Sequence, residues 1–95
     1  MAMAMNTRFT IRPDVIFRAL GAEAILLNLD GGLYFGLNEV GTRIWMLLAD
    51  HDGEGVSQAL TREFDVTIDE ARADVSSLIG ELIDRGLLAP ADALR

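Results

Sequence analysis

The chain has 95 residues, no cysteine and no lysine, and its eight arginines face fifteen acidic residues, which gives a formal net charge of −7 at pH 7. This length predicts one domain with one modest core, and the lack of cysteine excludes a disulfide framework and a thiolate metal site. The acidic balance disfavours nucleic acid as a partner, and without a signal-peptide pattern or a long apolar run we expect a cytoplasmic protein with no membrane partner.

The first half of the chain predicts an antiparallel meander. Pro13 suits the start of an edge strand, and Gly21-Ala22 favours a two-residue hairpin turn. Asp30-Gly31-Gly32 is a second turn signal, because glycine adopts positive φ without strain. The predicted strands are Val15–Leu20, Glu23–Leu29 and Leu33–Leu37.

The second half changes to helical periodicity. Asn38 is the predicted N-cap of a first helix, Thr67 and Glu70 form a capping box that starts a third helix, and Gly86 ends it. The apolar residues of the three helices are Val40, Ile44, Leu47 and Leu48, then Val56, Ala59, Leu60 and Phe64, then Ala71, Val75, Leu78, Ile79, Leu82 and Ile83. Leu87-Leu88-Ala89 is expected to pack back onto the body.

These patterns predict an α+β fold of winged-helix type, with a three-stranded antiparallel meander followed by three helices (βββααα). We expect a flexible N-terminal segment at residues 1–11, a single domain at residues 12–89 and a C-terminal tail at residues 90–95.

Little in the sequence indicates catalysis or metal binding. His51 lies between Asp50 and Asp52, but a metal site needs three or four converging ligands and this is the only histidine, so we expect a solvated loop. No serine has a histidine base to activate it. We predict no catalytic residue, no metal and no cofactor.

A winged helix also raises the possibility of DNA binding through the third helix. The segment from Thr67 to Gly86 carries five acidic residues and two arginines. Because this helix would be repelled by phosphate, the charge argues against DNA.

The strand Leu33–Leu37 is apolar on both faces and lies at an edge of the predicted sheet. Proteins usually protect such edges with charge, proline or a bulge, because open backbone groups invite another strand. The third strand has no such protection, which is what addition of a peptide strand requires. The alternative is that Tyr34 and Phe35 are core residues and that a helix covers the edge.

The third helix is the candidate second wall of a peptide groove. At about 100° per residue, Glu70, Asp74 and Glu81 follow one border of its apolar stripe, beside Leu78. If this helix lies next to the strand, the groove has an apolar floor and an acidic rim that binds Arg or Lys of a peptide. The alternative is a solvated face, with Glu81 paired to Arg85 four residues later.

The order of several short motifs resembles the PqqD-like family of RiPP recognition elements, where RiPPs are ribosomally made and post-translationally modified peptides. The matching motifs are the run Leu29–Leu48, which contains Gly31-Gly32-Leu33-Tyr34-Phe35-Gly36-Leu37-Asn38, then Phe64-Asp65-Val66, Asp74-Val75 and Arg85-Gly86-Leu87-Leu88. The resemblance extends from about Arg12 to Leu88, and the glycine-rich motif is similar to the stand-alone recognition proteins of lasso-peptide pathways.

The resemblance implies a non-catalytic, winged-helix-like domain that binds the leader segment of a precursor peptide and presents it to modifying enzymes. In a lasso pathway these would be a leader protease and a cyclase, and in a quinone-type pathway a radical SAM enzyme, so any cofactor belongs to the partner. The leader is implied to add beside the third strand and to lie against the third helix.

The implied peptide-binding residues are Leu33, Tyr34, Phe35 and Gly36 on the strand and Asp74, Val75, Leu78, Ile79 and Leu82 on the helix, and the acidic rim adds Glu81. The alternative function is a structural dimerisation or adaptor module with no leader peptide, because the same apolar edge could pair with its own symmetry mate. Trp45 and Met46, off the main stripe of the first helix, are expected in the core or at an interface with an enzyme or a second copy.

Overall fold

A computed structural model of the chain describes residues 8–91 and has an α+β fold. In chain order the elements are β1 (Phe9–Ile11), β2 (Val15–Leu20), β3 (Glu23–Asn28), β4 (Leu33–Leu37), α1 (Glu39–Leu47), α2 (Gly53–Glu63), α3 (Ile68–Asp84) and β5 (Leu88–Pro90). The predicted antiparallel meander is confirmed, because β2, β3 and β4 form one sheet in that order before the three helices. No helix in the described part of the chain is long and apolar enough to cross a membrane.

Two glycines set the register of this sheet. Gly21 has a φ of 67° and lets Leu20 pair directly with Glu23 across the β2–β3 turn. Gly32 has a φ of 66° and donates its N–H to the carbonyl oxygen of Asn28 at 2.7 Å. Because most residues avoid positive φ, these turns depend on glycine, and they place β4 in register with β3.

Side-chain caps fix where the helices begin. The Asn38 Oδ1 accepts the N–H of the residue three positions later at 2.8 Å, as predicted. The predicted capping box of α3 is also confirmed, because Thr67 Oγ1 accepts the Glu70 N–H at 3.1 Å and the Glu70 carboxylate accepts the Thr67 N–H at 2.9 Å. These hydrogen bonds lower the pKa of Glu70. α2 begins one turn earlier than its apolar pattern showed, with Asp52 as its N-cap.

The core lies between one face of the sheet and the three helices. Leu26 from β3, Ile44 from α1, Leu60 from α2 and Leu82 from α3 each retain 1% or less of their exposure. Burying one such side chain contributes roughly 1.5–3 kcal/mol. Trp45 is in this core, as expected, whereas the adjacent Met46 is 52% exposed.

A second, two-stranded sheet joins the two ends of the described chain. β1 pairs antiparallel with β5, and Thr10 lies opposite Ala89. β1 lies within the predicted N-terminal segment at residues 1–11, and the predicted βββααα order gains a strand at each end. The predicted packing of residues 87–89 is confirmed, since all three are buried. Residues 1–7 and 92–95 lie outside the described part of the chain, as do the corresponding parts of the predicted N-terminal segment and C-terminal tail.

Candidate functional site

β4 is the edge strand of the three-stranded sheet. Within the described structure it pairs with β3 on one side only, and its pairing continues without a bulge from Leu33 to Leu37. The strand contains no charged residue and no proline, and both Leu33 and Gly36 are exposed. The predicted unprotected apolar edge is confirmed, and its outward N–H and C=O groups are placed where another strand could pair.

The side chains of β4 alternate between two environments. Phe35 lies opposite Leu26 and is half-buried against the core, so it faces the helices. Tyr34 lies opposite Leu27, which in turn lies opposite Ile16, so these three side chains share the outer face of the sheet. Tyr34 is 69% exposed, so the alternative that it is a core residue is wrong.

The C-terminal end of α3 is tied to the sheet beside β4. The Asn28 side-chain amide donates to the carbonyl oxygens of Arg85 at 3.4 Å and Gly86 at 3.3 Å. The Arg85 guanidinium carbon lies 5.1 Å from the centre of the Phe35 ring, within cation–π range. The end of α3 therefore reaches the first half of β4.

The middle of α3 borders a groove that starts where β4 ends. This groove has a volume of about 310 Å³, near the lower end of the roughly 300–1,000 Å³ found for ligand pockets. Its lining residues are Asn38, Val40, Gly41 and Ile44 from the start of α1 and Asp74, Ser77, Leu78 and Glu81 from α3. α3 and the β4–α1 segment thus run in opposite directions along one side of the molecule, and the groove lies between them.

The structure divides the predicted α3 residues into two groups. Asp74, Leu78 and Glu81 line the groove. Val75, Ile79 and Leu82 retain 3% or less of their exposure and belong to the core, so their predicted contact with a peptide needs correction. At 100° per residue the two groups lie on adjacent faces of the helix.

Several residues near the groove were missed by sequence reasoning as site residues. Asn38 was recognised only as a helix cap, and Val40 only as part of an apolar stripe, although both line the groove. Ser77 carried no signal. Arg85 was considered as a partner of Glu81, but no such salt bridge occurs among the described residues, and Arg85 lies over Phe35 instead. Its position depends on tertiary packing that the local sequence does not specify.

Charge is distributed unevenly between the sheet and the helices. Residues 8–37 carry three arginines and three acids, whereas residues 38–91 carry four arginines and eleven acids. Glu54 and Glu63 are paired with arginines, and the hydrogen bond from Arg72 is the main cause that lowers the Glu54 pKa to about 2. Neither groove acid, Asp74 or Glu81, forms a salt bridge within residues 8–91, so both carboxylates remain available to a charged guest.

The single histidine makes a local contact away from the groove. Nδ1 of His51 lies 3.1 Å from the carbonyl oxygen of Leu47 at the end of α1. No group of three or more metal-ligating side chains converges within residues 8–91.

Comparison with known proteins identifies the family of this chain. Residues 23–88, more than half of the chain, match the family model described as Coenzyme PQQ synthesis protein D (PqqD). No match is found among curated protein sequences.

Two solved structures share the fold. One is described as lasso peptide synthetase B1 complexed with the leader peptide, with a TM-score of 0.80 and 30% identity over 87% of this chain and 99% of that chain. The other is TbiB1 in complex with the TbiA(beta) leader peptide, with a TM-score of 0.78 and 32% identity over 83% of this chain and 93% of that chain. Both similarities confirm the predicted resemblance to PqqD-like recognition elements.

Proposed function

The chain belongs to the PqqD family, and from this premise we propose that it is a non-catalytic recognition domain that binds the leader segment of a ribosomally made precursor peptide. The observation that carries the proposal is the open apolar edge of β4 beside the groove along α3. Two proteins of the same fold that bind leader peptides support it.

The proposed binding mode is strand addition. The leader would pair with the outer edge of β4 through backbone hydrogen bonds, which provide affinity with little dependence on sequence. Its inward side chains would contact Phe35 and then Leu78, the half-buried apolar side chains along this path. Leu33 and Gly36 would contribute backbone contacts, and Tyr34 would face outward with the guest's alternate side chains. The predicted winged-helix resemblance is not needed for this mode.

The proposed partners after capture are modifying enzymes. The similarity to lasso peptide synthetase B1 favours a leader protease and a cyclase over a radical SAM enzyme. A short precursor gene next to protease and cyclase genes would support the lasso pathway, whereas a radical SAM gene there would point to the quinone-type pathway.

Titration of a fluorescein-labelled leader, synthesised from the precursor gene next to this chain's gene, tests capture directly. We expect a dissociation constant below about 100 μM, which corresponds to a binding free energy near −5.5 kcal/mol. Absence of binding at that concentration would exclude the proposed function.

Proline substitutions test strand addition. Successive backbone N–H groups in β4 point alternately to β3 and to the open edge, so one of Tyr34→Pro and Phe35→Pro removes an outward donor and the other disrupts pairing with β3. We expect the outward substitution to keep the fold and weaken leader binding about tenfold or more, through a lost hydrogen bond and the proline ring. Ala19→Pro, on the opposite edge strand, is the matched control, because Leu20 and Glu23 close a two-residue turn as a hydrogen-bonded pair and the Ala19 N–H therefore points outward. If both β4 variants fold and bind as the parent does, strand addition is wrong.

A dimerisation or adaptor role is the second candidate. The observation that favours it is an apolar row on the outer face next to the open β4 edge, formed by the exposed Ile16 and Tyr34 and the half-buried Leu27. Light scattering with and without leader separates the two functions. A stable dimer that the leader neither binds nor dissociates would favour the adaptor role.

A further inference from the structure

Charge changes sign along the path that runs from β4 into the groove. At the β4 end, the Arg85 guanidinium lies over Phe35. At the other end, Asp74 and Glu81 line the groove beside the start of α1. Glu81 and Arg85 are one helical turn apart but form no salt bridge in residues 8–91, so the two charges do not neutralise each other.

The start of α1 does not cancel the negative end. A helix N-terminus has about half a positive charge, but Asn38 already caps one of its N–H groups, and Glu39 places a carboxylate in its first turn. The two carboxylates of Asp74 and Glu81 exceed this partial charge. A basic side chain is therefore favoured at this end and disfavoured beside Arg85.

Backbone pairing alone leaves the guest's position undetermined. An extended peptide can pair with an edge strand in either direction, and a slip of two residues restores the same hydrogen bonds with the same faces inward. Side-chain contacts must therefore select one direction and one register. The change of charge from Arg85 to Asp74 and Glu81 can make this selection.

We propose that the groove orients its guest by charge: a lysine or arginine of the leader lies between Asp74 and Glu81, and the segment beside Arg85 carries no positive charge. This orientation rests on the proposed leader binding, and it adds the chemistry of one guest residue and its place along the chain. Asp74 and Glu81 are specificity-determining residues, whereas the β4 backbone provides the bulk of the affinity.

A double-mutant cycle tests the pairing. The protein variants are Asp74→Asn and Glu81→Gln, with Asp69→Asn as the matched control, because Asp69 is on the same helix, its side chain is 93% exposed and it lies outside the groove. The probe is the fluorescein-labelled leader and a set of variants in which each lysine or arginine is replaced in turn by glutamine. Circular dichroism checks that the variants fold.

We expect one basic leader residue whose replacement weakens binding about twofold to fivefold, the range of a solvent-exposed ion pair. That effect should vanish in the Asp74→Asn, Glu81→Gln double variant and persist in Asp69→Asn. Raising NaCl from about 0.05 M to about 0.5 M shortens the screening length from roughly 14 Å to roughly 4 Å. This increase should weaken leader binding by the parent more than by the double variant.

The orientation has its own measurement. Because the chain has no cysteine, each of two substitutions gives a unique labelling position. Ser77→Cys places the label in the groove, and Gly31→Cys places it in the turn before β4. A photo-crosslinker at Ser77 should capture the leader segment that contains the critical basic residue, and one at Gly31 should capture the opposite segment.

Orientation by charge and leader capture fail in different ways. If the parent binds the leader but no basic residue couples to Asp74 or Glu81, or if the crosslinks are reversed, orientation by charge is overturned and leader capture stands. If the parent does not bind the leader, both are overturned.

Discussion

Asn28 ties the end of α3 to the sheet beside β4, and its replacement by alanine should both destabilise the fold and weaken peptide binding. Its amide donates to the carbonyl oxygens of Arg85 and Gly86, and its Oδ1 accepts the Asp30 N–H at 3.0 Å. A net contribution of about 0.5–1.5 kcal/mol per hydrogen bond is typical, and the two bonds from the amide are long at 3.3–3.4 Å, so they fall at the weak end. The expected loss is about 1–2 kcal/mol in total, or roughly 5–15 °C in Tm for a domain of this size.

Urea and thermal unfolding measure this loss, and leader titration measures its effect on binding. Asn28→Asp keeps the acceptor for Asp30 but points a carboxylate at two carbonyl oxygens, so it should lose at least as much stability as Asn28→Ala. Leu29→Ala is the matched control, because Leu29 is the next residue and is 56% exposed. If the free energy of unfolding of Asn28→Ala is within about 0.3 kcal/mol of that of the control, a difference well below one typical hydrogen bond, the idea that Asn28 holds α3 beside β4 is refuted.

Two further predictions concern α2 and α3. Because the pKa of Glu54 is lowered from 4.5 to about 2, chiefly by its hydrogen bond with Arg72, its contribution to stability is complete above pH 4.5 and is lost as the pH falls towards 2. Thermal unfolding from pH 7 to pH 2 should therefore show a Tm gap between the parent and Glu54→Gln that narrows below pH 4.5, and a gap independent of pH would contradict this account. Urea unfolding should show that Leu82→Ala destabilises the protein by about 2–5 kcal/mol, and leader titration should show unchanged binding by its folded fraction. Leu78→Ala should instead weaken leader binding and change the stability little. Weaker binding by folded Leu82→Ala would mean that Leu82 contacts the leader.

The features that the sequence predicted well are determined by a few neighbouring residues. A glycine at positive φ lies in each hairpin turn, and the strand Leu33–Leu37 matches its predicted bounds. The capping box between Thr67 and Glu70 starts α3 where it was predicted. Each of these depends on backbone conformation or hydrogen bonds within about four residues, which a local pattern contains.

The features that could not be predicted from the sequence depend on residues far apart in the chain. β1 has only three residues, and its partner β5 lies at the other end of the described chain, so no local pattern marks it. Helical periodicity placed Leu78 in the same apolar stripe as Val75 and Leu82. Which edge of that stripe faces the groove depends on how α3 packs against α2 and β5, and the 100° period alone does not determine this.

β4 and α3, the two elements along the proposed path of the guest, offer different kinds of contact, and under strand addition this difference separates affinity from specificity. β4 presents mainly backbone, because Gly36 has no side chain and Tyr34 faces away from the helices. α3 presents side chains, and those that line the groove make no hydrogen bond to the rest of the described chain that would fix them in place. If the guest binds as proposed, a substitution on this face of α3 should therefore alter which peptide is preferred without disturbing the core residues behind it, Val75, Ile79 and Leu82. Under strand addition, the choice of guest is set by α3, while β4 accepts any extended segment that its partner wall admits.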